Sequence, residues 1–179
     1  MNDKYTQKEL EEFLRESNHI ESEYSEEALE DAHAAWEYLI KQEEITPEVV
    51  LEVHRLLARR LNPEIAGKYR TCDVWIAKQC KRFISVALLK EQLTEECRKV
   101  MESINAMQKA DVHSKTESAK KCHISFEQLH PFLDFNGRTF RHILNYQRLH
   151  FGLPLLIIHA DWPKKDGEQM RYYAWFRES

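Results

Sequence analysis

Residues 130–141, which read HPFLDFNGRTFR, constrain the fold of this chain more than any other part of its sequence. Asn136 and Gly137 favour a turn, and the residues that follow, RTFRHILNYQRLH, are typical of a helix. Gly137 is therefore expected directly before a helix N-terminus. Free backbone N–H groups and the helix dipole favour an anion at such a place, so this stretch predicts an anion-binding turn.

Four side chains of the same stretch suit phosphate chemistry. His130 can transfer a proton near neutral pH. Asp134 offers hard oxygen ligands of the kind that bind Mg²⁺ on a nucleotide. Arg138 and Arg141 are three residues apart, so they share one face of a helix. A base, a metal ligand, an anion-binding turn and two arginines thus fall within twelve residues.

The order of these residues resembles the signature of the Fic family, H-[PF]-F-x-[DE]-G-N-G-R-x-x-R. Every position of this specific signature matches except one, where Phe135 replaces the first glycine. The resemblance extends upstream to ITPEVVLEVHRLLARRL, GKYR and VWI, which are similar to a helix, a G-x-Y-R turn and a flap strand of that family. Downstream it extends to FGLPLLIIHAD, and it covers roughly residues 13–165.

Fic proteins mostly transfer AMP from ATP to a hydroxyl side chain of a target protein. The resemblance therefore implies a protein adenylyltransferase that uses ATP and Mg²⁺ on a Tyr, Thr or Ser hydroxyl. It implies two catalytic residues: His130 takes the proton from the attacking hydroxyl, and Arg138 neutralises charge on the leaving pyrophosphate. It also implies that Asp134 holds Mg²⁺ between the α- and β-phosphates.

The same resemblance assigns the phosphate-binding residues. Backbone N–H groups around Phe135, Asn136 and Gly137 would cradle the phosphates beside Arg138, with help from the Asn136 side chain. Arg141 would bind the γ-phosphate. A related branch of the family carries lysine at the position of Gly137, binds ATP reversed and acts as a kinase, so glycine here favours AMP transfer.

Phe135 is the one departure from the signature. If its position requires a positive φ, a bulky phenylalanine is strained there. If φ is negative, the side chain can point away while the N–H still faces the phosphates. We expect the second arrangement, because every side chain with a chemical role is present. A turn blocked by Phe135 would instead make the chain a degenerate interaction module.

Residues 17–22, SNHIES, resemble the inhibitory motif [ST]-x-x-x-E-[GN] of some Fic proteins. Ser17 and Glu21 are in register, while Ser22 stands where glycine or asparagine is usual. In the family this glutamate pairs with the second arginine of the signature, here Arg141, and takes the place of the γ-phosphate. The alternative is that Glu21 is one more exposed acid in the acidic run ESNHIESEYSEE.

Residues 67–85 lose helical periodicity. Two short runs, one of Val74, Trp75 and Ile76 and one of Phe83 and Ile84, favour strands, and we expect a small hairpin. The resemblance implies a flap in which Val74, Trp75 and Ile76 offer a free edge to a target peptide. A plain surface hairpin is the alternative.

Most of the chain favours helices, because it has only four glycines and five prolines and helix formers dominate. We expect an all-α fold, a compact Fic-like helical domain with the small β-hairpin flap. A single domain is expected over residues 1–179, with an inhibitory-like segment at 1–24, a core at 25–165 and a C-terminal helix at 166–179. Helices are expected at residues 5–16, from Ser25, at 47–61, 86–109 and 117–129, from Arg138 through Leu149, and from about Asp166.

Composition argues against several other classes. The net charge of −4 and the pI near 6.2 give no reason to expect nucleic-acid binding. We expect no membrane span and no secretory signal. The four cysteines show no C-x-x-C spacing, so reduced thiols in a cytoplasmic chain are expected. The sequence leaves a homo-oligomer open.

Two histidines outside the signature are also candidate ligands. His54 lies beside the inward stripe of its helix and is expected to be a hydrogen-bonded core or boundary residue. His123 lies seven residues before His130, and a metal pair is the less favoured interpretation because no third ligand is spaced nearby. A further function class, removal of AMP or transfer of another phosphate-linked group on the same fold, stays open.

Overall fold

The computed structural model describes residues 4–73 and 85–177, and its regular elements there are helices. Helices α1 to α7 span Gln7–His19, Glu26–Leu39, Pro47–Ala58, Leu89–Ala106, Val112–Leu129, Asn136–His150 and Glu168–Ala174, and a 3₁₀ turn, Val86–Leu88, precedes α4. The all-α prediction is confirmed for these residues, none of which lies in a strand. The hairpin predicted around Val74, Trp75 and Ile76 lies outside the described residues. Within them, no helix is long and apolar enough to cross a bilayer.

Helix α6 lies at the centre of the fold. All of its residues except Gly137 and His150 are buried, so neighbouring elements cover it on every side. It packs against α5, α3, α2, α1 and α4. Residues 130–135, called here the signature loop, connect α5 to α6. The signature residues that the sequence predicts to act on phosphate are therefore held at the N-terminal end of an enclosed helix.

Aromatic side chains fill the space around α6. Phe126 of α5 stacks on Phe140 of α6 with ring centroids 4.8 Å apart. Phe13 of α1 and Trp36 of α2 contact each other at 5.6 Å, and both rings also contact His142 of α6. The buried apolar face of α1 thus attaches this helix to the core.

Helix α1 is longer than expected, and its length determines where Ser17 lies. The sequence suggested an end near residue 16, whereas the helix runs to His19. Thr6 and Glu9 form a capping box at its start. Its buried face holds Leu10, Phe13, Leu14, Ser17 and Asn18. Because this helical spacing continues past residue 16, Ser17 faces the core and Glu21 follows just beyond the helix end.

Helix α6 begins two residues earlier than expected, at Asn136, with Phe135 as its N-cap residue. Gly137 therefore lies inside the first turn and not before it. The N–H groups of Asn136, Gly137 and Arg138 belong to that first turn, where helix geometry offers no carbonyl partner. The predicted anion-binding turn is consequently the start of the helix itself.

Three other boundaries also shift. Helix α5 starts at Val112 and not near residue 117, because Asp111 caps it by accepting the Ser114 N–H at 3.0 Å. Helices α3 and α4 each end three residues earlier than expected, at Ala58 and Ala106. These shifts leave the order of the helices as predicted.

Candidate active site

The side chain of Asn136 closes the signature loop. Its Oδ1 accepts the Phe132 N–H at 3.1 Å, and its Nδ2 donates to the Phe132 carbonyl at 2.9 Å. The residue is 2% exposed, so both polar atoms of the amide are used inside the loop. The sequence suggested that this side chain helps to bind phosphate, and that role stays a prediction; in this structure the amide closes the loop.

Two residues of the loop have left-handed backbone conformations, His130 with φ 46° and Phe135 with φ 61°. The expectation of a negative φ at Phe135 was wrong. Glycine suits this position because it has no Cβ to clash, whereas another residue is strained by about 1–2 kcal/mol. Phe135 is nevertheless buried, and its ring meets the His54 ring edge-on at 6.1 Å. Burial of the ring offsets that strain.

His54 supports the loop beneath Asp134. The Gly67 N–H donates to its Nδ1 at 3.0 Å, so Nε2 carries the ring proton and donates to the Asp134 carbonyl at 3.2 Å. The imidazole stacks on Phe132 with centroids 3.9 Å apart. Burial lowers the pKa of His54 to about 4, which keeps the ring neutral at pH 7. The prediction of a hydrogen-bonded core histidine is confirmed, and its support of the loop is a role that the sequence did not show.

Arg70 of the GKYR segment holds the other end of the loop. Its Nε donates to the His130 carbonyl at 2.9 Å, and its backbone N–H donates to the Pro131 carbonyl at 2.9 Å. The side chain is buried. In the sequence this segment showed only a resemblance to the family. In the structure its arginine is one of the main supports of the signature loop.

His130 has the properties of a general base. Burial lowers the pKa of its imidazole, so the ring is neutral at pH 7 and able to accept a proton. Its Nδ1 is buried, which leaves Nε2 as the nitrogen that an incoming hydroxyl could use.

Arg141 binds the end of α1 and the residue that the sequence marked as inhibitory. Its Nε donates to Ser17 Oγ at 2.9 Å, and its Nη2 donates to the Ser17 carbonyl at 2.9 Å and to Glu21 Oε1 at 2.7 Å. The arginine side chain is 3% exposed and the glutamate side chain 37% exposed. Burial alone would raise the pKa of Glu21, but the guanidinium groups of Arg141 and Arg138 hold it below its ordinary value.

The Glu21 carboxylate lies against the first turn of α6. A Cβ added to Gly137 would lie 2.7 Å from Glu21 Oε1 and 2.8 Å from Nη1 of Arg141. Any side chain at this position would therefore collide with the ion pair. A carboxylate occupies the space beside first-turn N–H groups, where a helix N-terminus favours negative charge.

Ser22 takes a left-handed conformation, with φ 59°. This backbone explains why glycine or asparagine is usual at that place in the motif that the segment resembles. The serine accepts the same conformation, and Glu21 still reaches Arg141. The departure at Ser22 therefore leaves the geometry of the motif intact.

Asp134 and Arg138 lie at the open side of the turn. Oδ1 of Asp134 accepts the Phe135 N–H at 2.6 Å, and the side chain is 63% exposed. Nη2 of Arg138 is 4.0 Å from that oxygen. The Arg138 guanidinium carbon lies 3.6 Å from the centroid of the Phe135 ring. The exposed carboxylate is thus accessible to a cation beside a turn that favours phosphate.

A buried network lies behind Arg141. Nε2 of His123 is 2.8 Å from the Tyr172 hydroxyl of α7, and its Nδ1 is 3.2 Å from a backbone carbonyl of α6. Glu127 lies 3.9 Å from His123, and burial raises the pKa of Glu127 to about 8. Protein groups occupy both nitrogens of His123, so the metal-pair interpretation with His130 is wrong.

These features define a helical domain with a base, first-turn N–H groups and two arginines at one helix N-terminus. The Fic/DOC family model matches residues 44–147, and the chain belongs to that family. Curated relatives include "Protein adenylyltransferase fic-1" of Caenorhabditis elegans, 30% identical over 134 residues and 75% of this chain. "Protein adenylyltransferase Fic" of Nematostella vectensis is 28% identical over 121 residues, 66% of this chain. The chain spans only 24% and 26% of the lengths of these two relatives.

Solved structures agree on the fold. Fic-1 from C. elegans superposes with a TM-score of 0.73 at 22% identity, covering 97% of this chain and 58% of that one. A Fic domain containing signaling protein from Bacteroides thetaiotaomicron gives a TM-score of 0.72 at 20% identity, covering 93% and 70%. The helical arrangement is therefore that of a Fic domain.

We predict that His54 makes the folded chain less stable as the pH falls. Its pKa is about 4 in the folded protein and about 6.5 in an unfolded chain. Between these values the unfolded state binds the extra proton, so the free energy of unfolding decreases as the pH falls from about 6.5 to about 4. In His54→Gln, urea unfolding at several pH values should show a decrease shallower by up to about 1.4 kcal/mol per pH unit.

The matched control is His113→Gln, which replaces an exposed histidine of α5. Equal pH dependence of stability in the two variants would contradict the prediction.

Proposed function

We propose that this chain transfers AMP from ATP to a Tyr, Thr or Ser hydroxyl of a target protein, and that Glu21 inhibits the reaction at rest. One observation carries the proposal. A neutral base, the open first turn of α6 and the Arg141–Glu21 pair meet at one helix N-terminus. The curated relatives named above as protein adenylyltransferases support the same reaction class.

The chain's own residues account for each step. The substrate hydroxyl oxygen attacks the α-phosphorus while its proton passes to Nε2 of His130. The bond from the α-phosphorus to the oxygen shared with the β-phosphate breaks, and pyrophosphate leaves. First-turn N–H groups of Asn136 and Gly137 hold the phosphates, and Arg138 neutralises the charge that develops on the leaving group.

Asp134 fits a role as the Mg²⁺ ligand. Its carboxylate is exposed beside the turn, and the described residues offer no cluster of three or more metal-binding side chains. An ion at Asp134 would therefore take its other ligands from phosphates and water, as Mg²⁺ on a nucleotide usually does. When bound, Mg²⁺ would neutralise charge on the α- and β-phosphates.

Glu21 competes with the γ-phosphate for Arg141, because a carboxylate and a triphosphate need the same guanidinium donors. A fully exposed pair would be worth only about 0–1 kcal/mol. Here the arginine is buried and Ser17 fixes its orientation through two further hydrogen bonds. Shielding of this kind strengthens the pair, which supports inhibition at rest.

Two alternative functions make different predictions. A degenerate interaction module would show no binding when the chain is titrated with ATP and Mg²⁺. An enzyme that removes AMP or transfers another phosphate-linked group would give a different mass change in the modified protein. The flap role of Val74, Trp75 and Ile76 in target binding stays a prediction, since those residues lie outside the described ones.

The first prediction for this function concerns Glu21. Glu21→Gly should raise self-modification and target modification with labelled ATP at least about tenfold, equivalent to roughly 1.4 kcal/mol, because Arg141 becomes free for the γ-phosphate. Ser22→Gly is the control, since it relieves the left-handed backbone and keeps the carboxylate, and it should stay inhibited. The double variant Glu21→Gly, Arg141→Ala should not be activated. A Glu21→Gly chain that transfers AMP no faster than the wild-type chain would refute inhibition by Glu21.

His130→Ala, made in the Glu21→Gly chain, should lower AMP transfer by about 10²–10⁴-fold. ATP affinity by calorimetry should stay near that of the parent chain, because the base acts on the hydroxyl and not on the nucleotide. His113→Ala serves as a control for loss of a histidine. Undiminished transfer by the His130→Ala chain would rule out the proposed mechanism.

Asp134→Ala should remove the Mg²⁺ dependence of ATP binding. The reason is that no other carboxylate lies within the signature. Calorimetric titration with ATP, with and without Mg²⁺, measures the effect, and Asp166→Ala removes an exposed carboxylate elsewhere as the control. The metal assignment fails if ATP binding in Asp134→Ala still responds to Mg²⁺ as in the parent chain.

A further inference from the structure

We propose that Phe135, the residue that departs from the family signature, is a positioning residue that fixes the Arg138 guanidinium for the reaction. The inference rests on the proposed AMP transfer, in which Arg138 acts on the leaving pyrophosphate. It adds Phe135 to the residues that serve the reaction. The family usually has glycine at this position, which has no side chain that could position Arg138.

The aromatic ring and the guanidinium are stacked. The Arg138 guanidinium carbon lies 3.6 Å from the centroid of the Phe135 ring, well inside the roughly 6 Å range of a cation–π interaction. Phe135 is 4% exposed and Arg138 6% exposed. Water screens the pair little, and cation–π attraction is greatest when the cation is desolvated.

The protein offers Arg138 few other anchors. Its Nε is buried and donates no hydrogen bond within the part of the chain that the structure describes. The Asp134 carboxylate is 4.0 Å away and largely exposed. Arg141, by contrast, donates three hydrogen bonds to Ser17 and Glu21. The Glu21 carboxylate attracts the Arg138 charge, but among the described residues it forms no ion pair with Arg138. The face of the Phe135 ring is therefore the contact that orients the guanidinium.

The ring itself is a fixed platform. Phe135 is the N-cap residue of α6, and its backbone N–H donates to Oδ1 of Asp134 at 2.6 Å. The edge of the ring packs against His54, at an interplanar angle of 89°. His54 is in turn held by the Gly67 N–H and the Asp134 carbonyl. Phenylalanine is strained in this left-handed conformation, whereas glycine would be relaxed. The contact of its ring with the Arg138 guanidinium offers a functional reason for phenylalanine at this position.

Stacking leaves the chemistry of Arg138 available. A guanidinium donates all of its hydrogen bonds in its own plane, so a ring against its face blocks none of them. The in-plane donors can meet the oxygens of the leaving pyrophosphate. Because these contacts strengthen as charge develops, misplacing the guanidinium should lower kcat more than it raises KM.

The test replaces Phe135 with phenylalanines carrying one, two and three ring fluorines, in the Glu21→Gly chain. Fluorine withdraws electron density from the ring face while nearly preserving its shape. We expect kcat to fall stepwise, by roughly two- to thirtyfold at three fluorines, with the KM for ATP within about twofold and the melting temperature unchanged. The same analogues at Phe140, which stacks on Phe126 and not on a cation, should leave kcat unchanged.

Two natural substitutions complete the series. Phe135→Leu keeps an apolar side chain against His54 but has no aromatic face, and it should lower kcat like the most fluorinated ring. Phe135→Gly restores the family residue and relieves the backbone, and it should also lower kcat. The inference is overturned if Phe135→Gly has a kcat at or above that of the parent chain. It is also overturned if kcat does not change along the fluorine series.

Titration with inorganic pyrophosphate separates this inference from the proposed function. If Phe135 positions Arg138, pyrophosphate affinity should weaken along the fluorine series, whether or not the chain transfers AMP. Absence of AMP transfer by the Glu21→Gly chain, together with that weakening, would refute the proposed function and support the positioning role. Pyrophosphate affinity that is constant along the series overturns the positioning role, even in an active enzyme.

Discussion

The buried guanidinium of Arg141 is the charge around which this domain is arranged. A cation that is 3% exposed costs several kcal/mol unless it is paired and hydrogen-bonded. Ser17 and Glu21 supply those partners, and both belong to or follow α1. The packing of α1 on the core through Phe13 is thus coupled to the electrostatics of the site. The same contact that satisfies a buried charge places the Glu21 carboxylate against the first turn of α6.

Close to this charged pair, the signature loop is held by three buried side chains. A neutral His54 and the amide of Asn136 fix the loop backbone, and Arg70 holds its first residues. Each support acts on backbone atoms of the loop. The first-turn N–H groups therefore keep one geometry and need no rearrangement when an anion arrives, which is the condition for strong electrostatic stabilisation.

The sequence predicted the helical class, the order of the helices and the turn at the start of α6, because these follow from composition and from residues close together in the chain. It also predicted the partner of Glu21, through resemblance. It did not predict the support given by His54 and Arg70, since both depend on contacts between residues 60 or more positions apart. The sign of φ at Phe135 was predicted wrongly. The side chains present in the signature indicated an intact turn, but the backbone angles of that turn are determined by the packing of the loop, which the sequence does not show.

Under the proposed function, Glu21 and the triphosphate are alternative partners of Arg141. Without the Glu21 carboxylate, Arg141 would keep only the neutral oxygens of Ser17 as acceptors. Arg138 would keep the largely exposed Asp134 carboxylate, 4.0 Å away. Like charges in a shielded place repel strongly, so the site favours an anion in every state. In this structure Glu21 supplies that anion, and under the proposed function the acceptor oxygens of a triphosphate would take its place on Arg141. Under that proposal, inhibition follows from the same requirement for a negative charge beside Arg141 that stabilises the fold.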